Sequence, residues 1–281
     1  MYKVIIDSCG ELFPDMKENK HFTNVPLTIE VGDWQIMDDE SFDQAEFLRR
    51  VAEYEGVPKS ACPSPSAYMK EMRDVDRAYV VTLSAQLSGS YNSALLAKNL
   101  LEEELEDEEQ KVQVHVFDSK SASIGQTLIG KKIGELEEAG CSFEEVVAQT
   151  EAYIAQQHTF FVLESLETLR KAGRLSNLKS MIASTLNIKP IMGSTEIGSI
   201  QQLSSARGMK KALEKMVDEM LSVTEHPEEK VLAISHCNCP ESAARLREIA
   251  EQKASYKHVE VVDTNGVSSL YANDGGLIMV I

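Results

Sequence analysis

Short runs dense in Val and Ile recur along the chain with almost no polar alternation. They are Tyr2–Ile6, Val25–Val31, Ala78–Leu83, Val112–Phe117, Phe160–Leu163, Val231–Ser235 and Val259–Val262. A strand with one wet face alternates apolar and polar residues; a strand covered on both faces does not. Between the runs lie segments of helical period at 43–54, 66–73, 91–105, 122–139, 143–157, 207–222 and 240–252. Strand–helix alternation of this kind predicts α/β layering with much of the sheet parallel. The stretch Ile188–Leu203 reads as a hairpin with Gly193 and Gly198 as turn residues, and Leu277–Ile281 as a buried last strand. The regular alternation ends near residue 160, which divides the chain into an N-terminal α/β domain, 1–160, and a C-terminal one, 161–281.

The 281 residues carry 28 Lys and Arg against 45 Asp and Glu, a formal charge of −17. That field repels nucleic-acid backbones and anionic membrane surfaces, so no nucleic acid and at most transient membrane contact are expected. The acidic run Glu102–Glu109 reads as a solvated helix end. No apolar run approaches the ~18 residues of a membrane span. The opening Met1-Tyr2-Lys3-Val4-Ile5-Ile6-Asp7 is too short and too soon charged for a signal peptide. Five scattered Cys point to reduced thiols and a cytoplasmic setting.

In layered α/β sheets ligands sit beyond the carboxyl ends of the strands. After the first strand comes Asp7-Ser8-Cys9-Gly10, and after the strand at 78–83 comes Ser84-Ala85-Gln86-Leu87-Ser88-Gly89-Ser90. After 112–117 comes Asp118-Ser119-Lys120-Ser121-Ala122-Ser123, and a further loop is Pro58-Lys59-Ser60-Ala61-Cys62-Pro63. Hydroxyls beside helix N-termini suit an anionic oxygen group, and Ser is also a common helix cap. No G-x-x-x-x-G-K-[ST], G-x-G-x-x-G or G-x-S-x-G is present. His236-Cys237-Asn238-Cys239 has no second ligand pair at zinc-site spacing, and no metal or cofactor is expected. Two basic patches stand out in an acidic chain, Leu169–Ser176 and Arg207-Gly208-Met209-Lys210-Lys211. The cations of the second sit at a helix start, against the dipole, which favours a contact role.

Several of these residues are familiar together. Val4-Ile5-Ile6-Asp7-Ser8, Val25-Pro26-Leu27, Pro58-Lys59-Ser60, Leu87–Ala94, Asp118-Ser119, Leu166–Ser176, Leu186–Pro190 and Arg207-Gly208 occur in order at family spacing. They resemble the DegV family of bacterial fatty-acid-binding proteins. The resemblance implies a two-domain α/β fold, the first sheet largely parallel, the second mixed, with a lipid pocket between them. It implies one long-chain fatty acid in a buried tunnel and no catalysis by the protein itself. The carboxylate would be presented to a fatty acid kinase, and the acyl-phosphate would feed phospholipid synthesis. The family's Thr-Ser-Gln-Pro is here Ser60-Ala61-Cys62-Pro63, so Ser60 inherits a carboxylate contact. Leu-Ser-Gly-Thr is here Leu87-Ser88-Gly89-Ser90, so Ser88 inherits the second, with Gly89 beside it and Ser90 as helix cap and further contact. Arg-Lys-Gly-Gly-Arg becomes Arg170-Lys171-Ala172-Gly173-Arg174, and Arg207 matches an arginine of kinase recognition. The family's C-terminal His-x-Gly-Pro-Gly is replaced by Tyr271-Ala272-Asn273-Asp274-Gly275-Gly276, which makes Tyr271 the candidate third head-group contact.

Two other classes stay open on the residues alone. One is an enzyme acting on a phosphorylated or acyl small molecule at the Ser-rich rim, with Asp7 or Asp118 as acid or base. The other is a lipid-sensing regulator that binds a partner around Arg207.

Overall fold

The computed structural model of the chain describes residues 1–106, 108, 111–175 and 187–281. Asp107 and Glu109 of the acidic run, and Ser176 and Leu186 of the quoted motifs, lie outside the described residues. The chain begins with β1 (Tyr2–Asp7), whose Val4, Ile5 and Ile6 are fully buried. Helix α1 (Pro14–Glu18) starts at a proline, whose missing N–H costs nothing in a first turn, and leads to β2 (Phe22–Val25).

The expected single strand Val25–Val31 is two strands in two sheets. β2 stays beside β1, whereas β3 (Thr28–Val31) pairs antiparallel with β4 (Trp34–Met37) and later with β5 (Lys59–Ala61). Pro26 has no N–H to give a ladder, so the chain changes sheets there. Helix α2 (Gln44–Glu53) joins β4 to β5; the Asp43 carboxylate accepts from Glu46 N at 3.0 Å and caps it.

Strands and helices then alternate: α3 (Pro65–Met72), β6 (Arg77–Thr82), α4 (Ser90–Glu104), β7 (Gln113–Asp118), α5 (Ile124–Glu138) and α6 (Phe143–Gln156). After them come β8 (Thr159–Val162), α7 (Glu167–Lys171), β9 (Ile188–Ser194), β10 (Ile200–Arg207), α8 (Met209–Val223) and β11 (Val231–His236). The chain closes with α9 (Pro240–Lys253), β12 (His258–Asp263), α10 (Gly266–Ala272) and β13 (Leu277–Val280). The first large sheet, β2-β1-β6-β7, is wholly parallel. The second, β10-β9-β8-β13-β11-β12, is mixed: β11 and β12 run parallel and the other pairs antiparallel. This is the expected α/β architecture with a parallel first sheet and a mixed second. The divide expected after residue 160 falls inside β8.

Two further details differ from expectation, one for packing and one for length. Gly193 is not a turn residue but sits within β9, where a Cβ would lie 2.9 Å from Leu203 Cδ1 and 3.1 Å from the Thr159 carbonyl oxygen. Helices α7 and α10 are too short to leave a periodic signal. No helix among the described residues is long and apolar enough to cross a membrane.

Helix α5 packs against β1 and β6 on one side and against β11 and β13 on the other. Ile124, Ile129, Ile133, Gly130 and Gly134 are all buried in it, and solvent reaches Glu135 and Glu138 near its C-terminal end. A Cβ on Gly130 would lie 2.5 Å from Ile6 Cδ1. Gly130→Ala therefore gains ~1 kcal/mol of helix propensity and loses about 1–3 kcal/mol to overpacking. The expected net is a loss of about 1 kcal/mol, read as a fall in Tm of about 2–4 °C; a rise in Tm would contradict this packing.

Candidate functional site

The parallel strands β1, β6 and β7 end on one rim, and the loops that follow them carry Cys9, Leu83 to Gly89 and Lys120 to Ala122. Facing them from the second sheet are β8, the tip of the β9–β10 hairpin, and α10. Between the two lies a cavity of about 360 Å³, within the roughly 300–1,000 Å³ usual for small-molecule sites. Leu83, Leu87, Phe161, Leu163, Leu169 and Ile278 give it hydrocarbon walls. It lies beyond the carboxyl ends of the parallel strands, where a crevice for ligands is expected.

One part of the wall is polar. Ser60 stands on β5 and lines the cavity; its Oγ is 3.0 Å from Tyr271 Oη on α10. Ser88 and Gly89 line it from the loop that becomes α4. The two loops are stitched together: Ser93 Oγ donates to the Pro63 carbonyl at 2.6 Å, and a Cβ on Gly89 would lie 3.3 Å from Cys62 Sγ. The start of a 15-residue helix brings N–H groups without helical partners and a partial positive charge to this wall.

Ser90 is placed differently from expectation. Gly89 occupies the cap position of α4, and Ser90 is the first helical residue, fully buried. Its N–H donates to Ser88 Oγ at 3.2 Å, and its hydroxyl lies 3.1 Å from the same oxygen and faces the Asp7 carboxyl. Ser90 therefore supports Ser88 from behind and does not line the cavity. Arg207 does not line it either: it is exposed at the end of β10, opposite Ile188. The structure brings Ser60, Ser88, Gly89 and Tyr271 to one wall and leaves Ser90 and Arg207 off it.

Arg174, which sequence reasoning saw as part of a basic patch but not as a site residue, lines the same wall. Its Nε donates to the Leu87 carbonyl at 3.1 Å, its Nη1 donates to the Ala172 carbonyl at 2.6 Å, and its guanidinium lies 5.7 Å from the Tyr271 ring centroid. The helix α7 before it ends cleanly: Ala172 is right-handed at φ −75°, and Gly173 takes the left-handed turn at φ +78°. Alanine thus fits the third position of the Arg170–Arg174 motif without strain. Lys120 is a second cation on the lining that was not singled out. The signal that finds Arg174 is a dense basic segment in an acidic chain; Lys120 leaves no such signal.

Three buried carboxyls lie under the site. Burial pushes Asp7 up to about 6, held back by Gln126 Nε2 (2.8 Å), Leu83 N (2.8 Å) and Cys9 N (3.3 Å), all donating to it. Burial pushes Glu11 up to about 7 and Asp38 to about 6. Asp118, the other residue considered as an acid or base, accepts from Ala85 N at 3.0 Å and Lys120 N at 3.1 Å and organises its own loop. Neither Asp7 nor Asp118 lines the cavity.

Comparison with known proteins agrees with this architecture. A family model described as "Uncharacterised protein, DegV family" matches residues 1–280. A DegV domain-containing protein of Streptococcus pneumoniae is 35% identical over 99% of this chain and 98% of its own. A DegV-family crystal structure from Ruminococcus gnavus with vaccenic acid superposes with a TM-score of 0.95 at 51% identity, covering 100% of this chain and 99% of that one. The Fatty Acid Kinase (Fak) B3 protein of Streptococcus pneumoniae, loaded with linoleic acid, superposes at 0.90 with 34% identity, covering 100% and 98%. A Eubacterium eligens protein loaded with heptadecanoic acid superposes at 0.89 with 29% identity, covering 100% and 99%. In sequence and in fold, over its whole length, the chain belongs to the DegV family.

Proposed function

We propose that this protein holds one long-chain fatty acid in the cavity, with the carboxylate at the Ser60, Ser88 and Tyr271 wall. The observation that carries the reading is the cavity itself: hydrocarbon walls with hydroxyls gathered at one helix start. An acyl chain satisfies the walls without polar partners, and a carboxylate accepts from Ser60, Ser88 and the first N–H groups of α4, with the Arg174 cation on the same wall. In this reading the unit 1–160 supplies Ser60 and Ser88, and the unit 161–281 supplies Tyr271 and Arg174. The solved relatives loaded with vaccenic, linoleic and heptadecanoic acids support the ligand class.

The protein acts as a carrier rather than a catalyst. What faces Ser60 is the phenol of Tyr271, a hydroxyl hydrogen-bond partner, and not an imidazole or a carboxylate. The finer proposal is that a fatty acid kinase phosphorylates the presented carboxylate, that the acyl-phosphate enters phospholipid synthesis in the cytoplasm, and that Arg207 belongs to the kinase contact. The name of the Streptococcus pneumoniae relative supports the kinase, and the exposure of Arg207 suits a contact.

Native mass spectrometry of the purified protein, followed by organic extraction, tests the ligand. The expected result is a single fatty acid per chain. Protein that is empty and takes up no member of a panel of long-chain acids would overturn the reading.

A further inference from the structure

The hydrogen bond between Ser60 and Tyr271 joins residues that are far apart in the chain, and one buried carboxylate touches the supports of both. Asp38 follows β4 and is 2% exposed. Its Oδ1 accepts from Gly266 N at 2.6 Å, and its Oδ2 accepts from Val267 N at 3.0 Å and from Ser8 Oγ at 2.8 Å. The Asp38 N–H donates to the Leu27 carbonyl at 2.9 Å, and Leu27 N donates to Ser8 Oγ at 2.9 Å. So Asp38 ties the start of α10 to the end of β1 and to the residue that precedes β3.

Each tie leads to the head-group wall. α10 carries Tyr271, little more than one turn past Val267. β3 carries β5, with Ile29 directly opposite Ser60. Ile29 also meets the start of α10, because a Cβ on Gly266 would lie 2.7 Å from Ile29 Cδ1 and 2.6 Å from Asp38 Oδ1. The contacts form a closed circuit from Asp38 through α10 to Tyr271, across to Ser60, and back through β5 and β3. Its charged member is Asp38. A carboxylate that accepts three hydrogen bonds with no cation beside it is costly to bury. The same carboxylate that receives the first N–H groups of α10 also receives Ser8 Oγ, so one side chain fixes α10 against β1 and the three-stranded sheet.

We propose that Asp38 is a positioning residue for ligand binding: by fixing α10 against the three-stranded sheet it sets the Ser60–Tyr271 hydrogen bond that receives the carboxylate. This rests on the head-group wall proposed above. It adds a specificity that the wall alone lacks, because a small rotation of α10 would turn the phenol away from Ser60.

The test is a double-mutant cycle of Asp38→Asn and Tyr271→Phe, read by fatty-acid affinity and by the Cζ resonance of isotope-labelled Tyr271. Measurements at pH 8 keep Asp38 ionised in the parent protein, since burial raises its pKa to about 6. Each single variant is expected to weaken binding about tenfold, the worth of one hydrogen bond to a charged group. The double variant is expected to be no weaker than Asp38→Asn, and Asp38→Asn is expected to move the Tyr271 resonance in ligand-free protein. Gly266→Ala keeps the Asp38 side chain but sets a Cβ against its Oδ1, which pushes the start of α10 off the carboxylate. It is expected to move the same resonance, and it carries the test if Asp38→Asn does not fold. An unmoved Tyr271 resonance together with additive losses of affinity would overturn the proposal. If the parent protein binds no fatty acid, the functional reading fails, while the Tyr271 resonance still decides the role of Asp38.

Discussion

A variant with both Ser60→Ala and Ser88→Ala is expected to keep most of its lipid and to lose most of its usefulness to a kinase. Burying a chain of about 15 methylenes at ~0.8 kcal/mol each gives a gross gain of ~12 kcal/mol before association costs. A hydroxyl bonded to a charged carboxylate contributes about 1.5–3 kcal/mol, so the two together contribute ~3–6 kcal/mol. In the proposed reading the hydrocarbon walls around Phe161, Leu163, Leu169 and Ile278 therefore dominate retention, and the hydroxyls dominate where the carboxylate points. Phosphorylation needs the carboxylate in one orientation, and losing ~3–6 kcal/mol of orientation corresponds to a drop of about 10²–10⁴-fold. The measurement pairs acyl-phosphate formation by a cognate kinase with the amount of lipid extracted from the same sample. Normal phosphorylation by the double variant would show that these hydroxyls do not hold the carboxylate.

Glu11→Gln is expected to stabilise the protein at pH 8 and to change it little at pH 5. Glu11 is 2% exposed; it accepts from Ser123 Oγ at 2.8 Å and from Asn265 N at 3.3 Å, and burial pushes its pKa up to about 7 against an ordinary 4.5. A carboxyl raised on folding stabilises the native state when protonated. That contribution is present in full below about 4.5, where the unfolded chain is also protonated, and is lost as pH rises through about 7. At ~1.36 kcal/mol per pH unit the gap is worth ~3 kcal/mol. Glutamine keeps an oxygen for Ser123 and removes the charge, so most of that penalty disappears. Asp7 and Asp38 act with the same sign but over a lower window, from about 3.8 to about 6, so the variant retains a pH dependence there. Thermal unfolding at pH 5 and pH 8 checks this; a variant less stable than the parent at pH 8 would show that the ionised carboxylate is well compensated in the fold.

The parallel sheet was legible because its central strands β1 and β6 are covered on both faces and carry apolar runs, while the edge strand β7 still keeps Val114, Val116 and Phe117 buried. The small sheet was not, because β4 and β5 are three or four residues long and half exposed, and no period shows in so few positions. Pro26 did signal the break between β2 and β3, but the apolar residues on both sides of it hid that signal. Ser88 lies in a loop that the sequence places beyond a strand, whereas Ser60 was reached through the family resemblance and sits on the short strand β5; both line the cavity. Ser90 was misplaced because a Ser beside a helix start looks alike at the cap and one residue on, and only the backbone angle at Gly89 separates them. The contacts of Asp38 with Gly266 and Val267 span more than two hundred residues and depend on a fold that must first be known.

A helix covered by both sheets has a mechanical consequence. α5 is a partition shared by two rooms, and neither sheet can swing away without baring its Ile124, Ile129 and Ile133 to water. Each such side chain costs about 1.5–3 kcal/mol to expose. In the proposed function, passage of a lipid in or out would then fall to the rim loops and not to a parting of the two sheets.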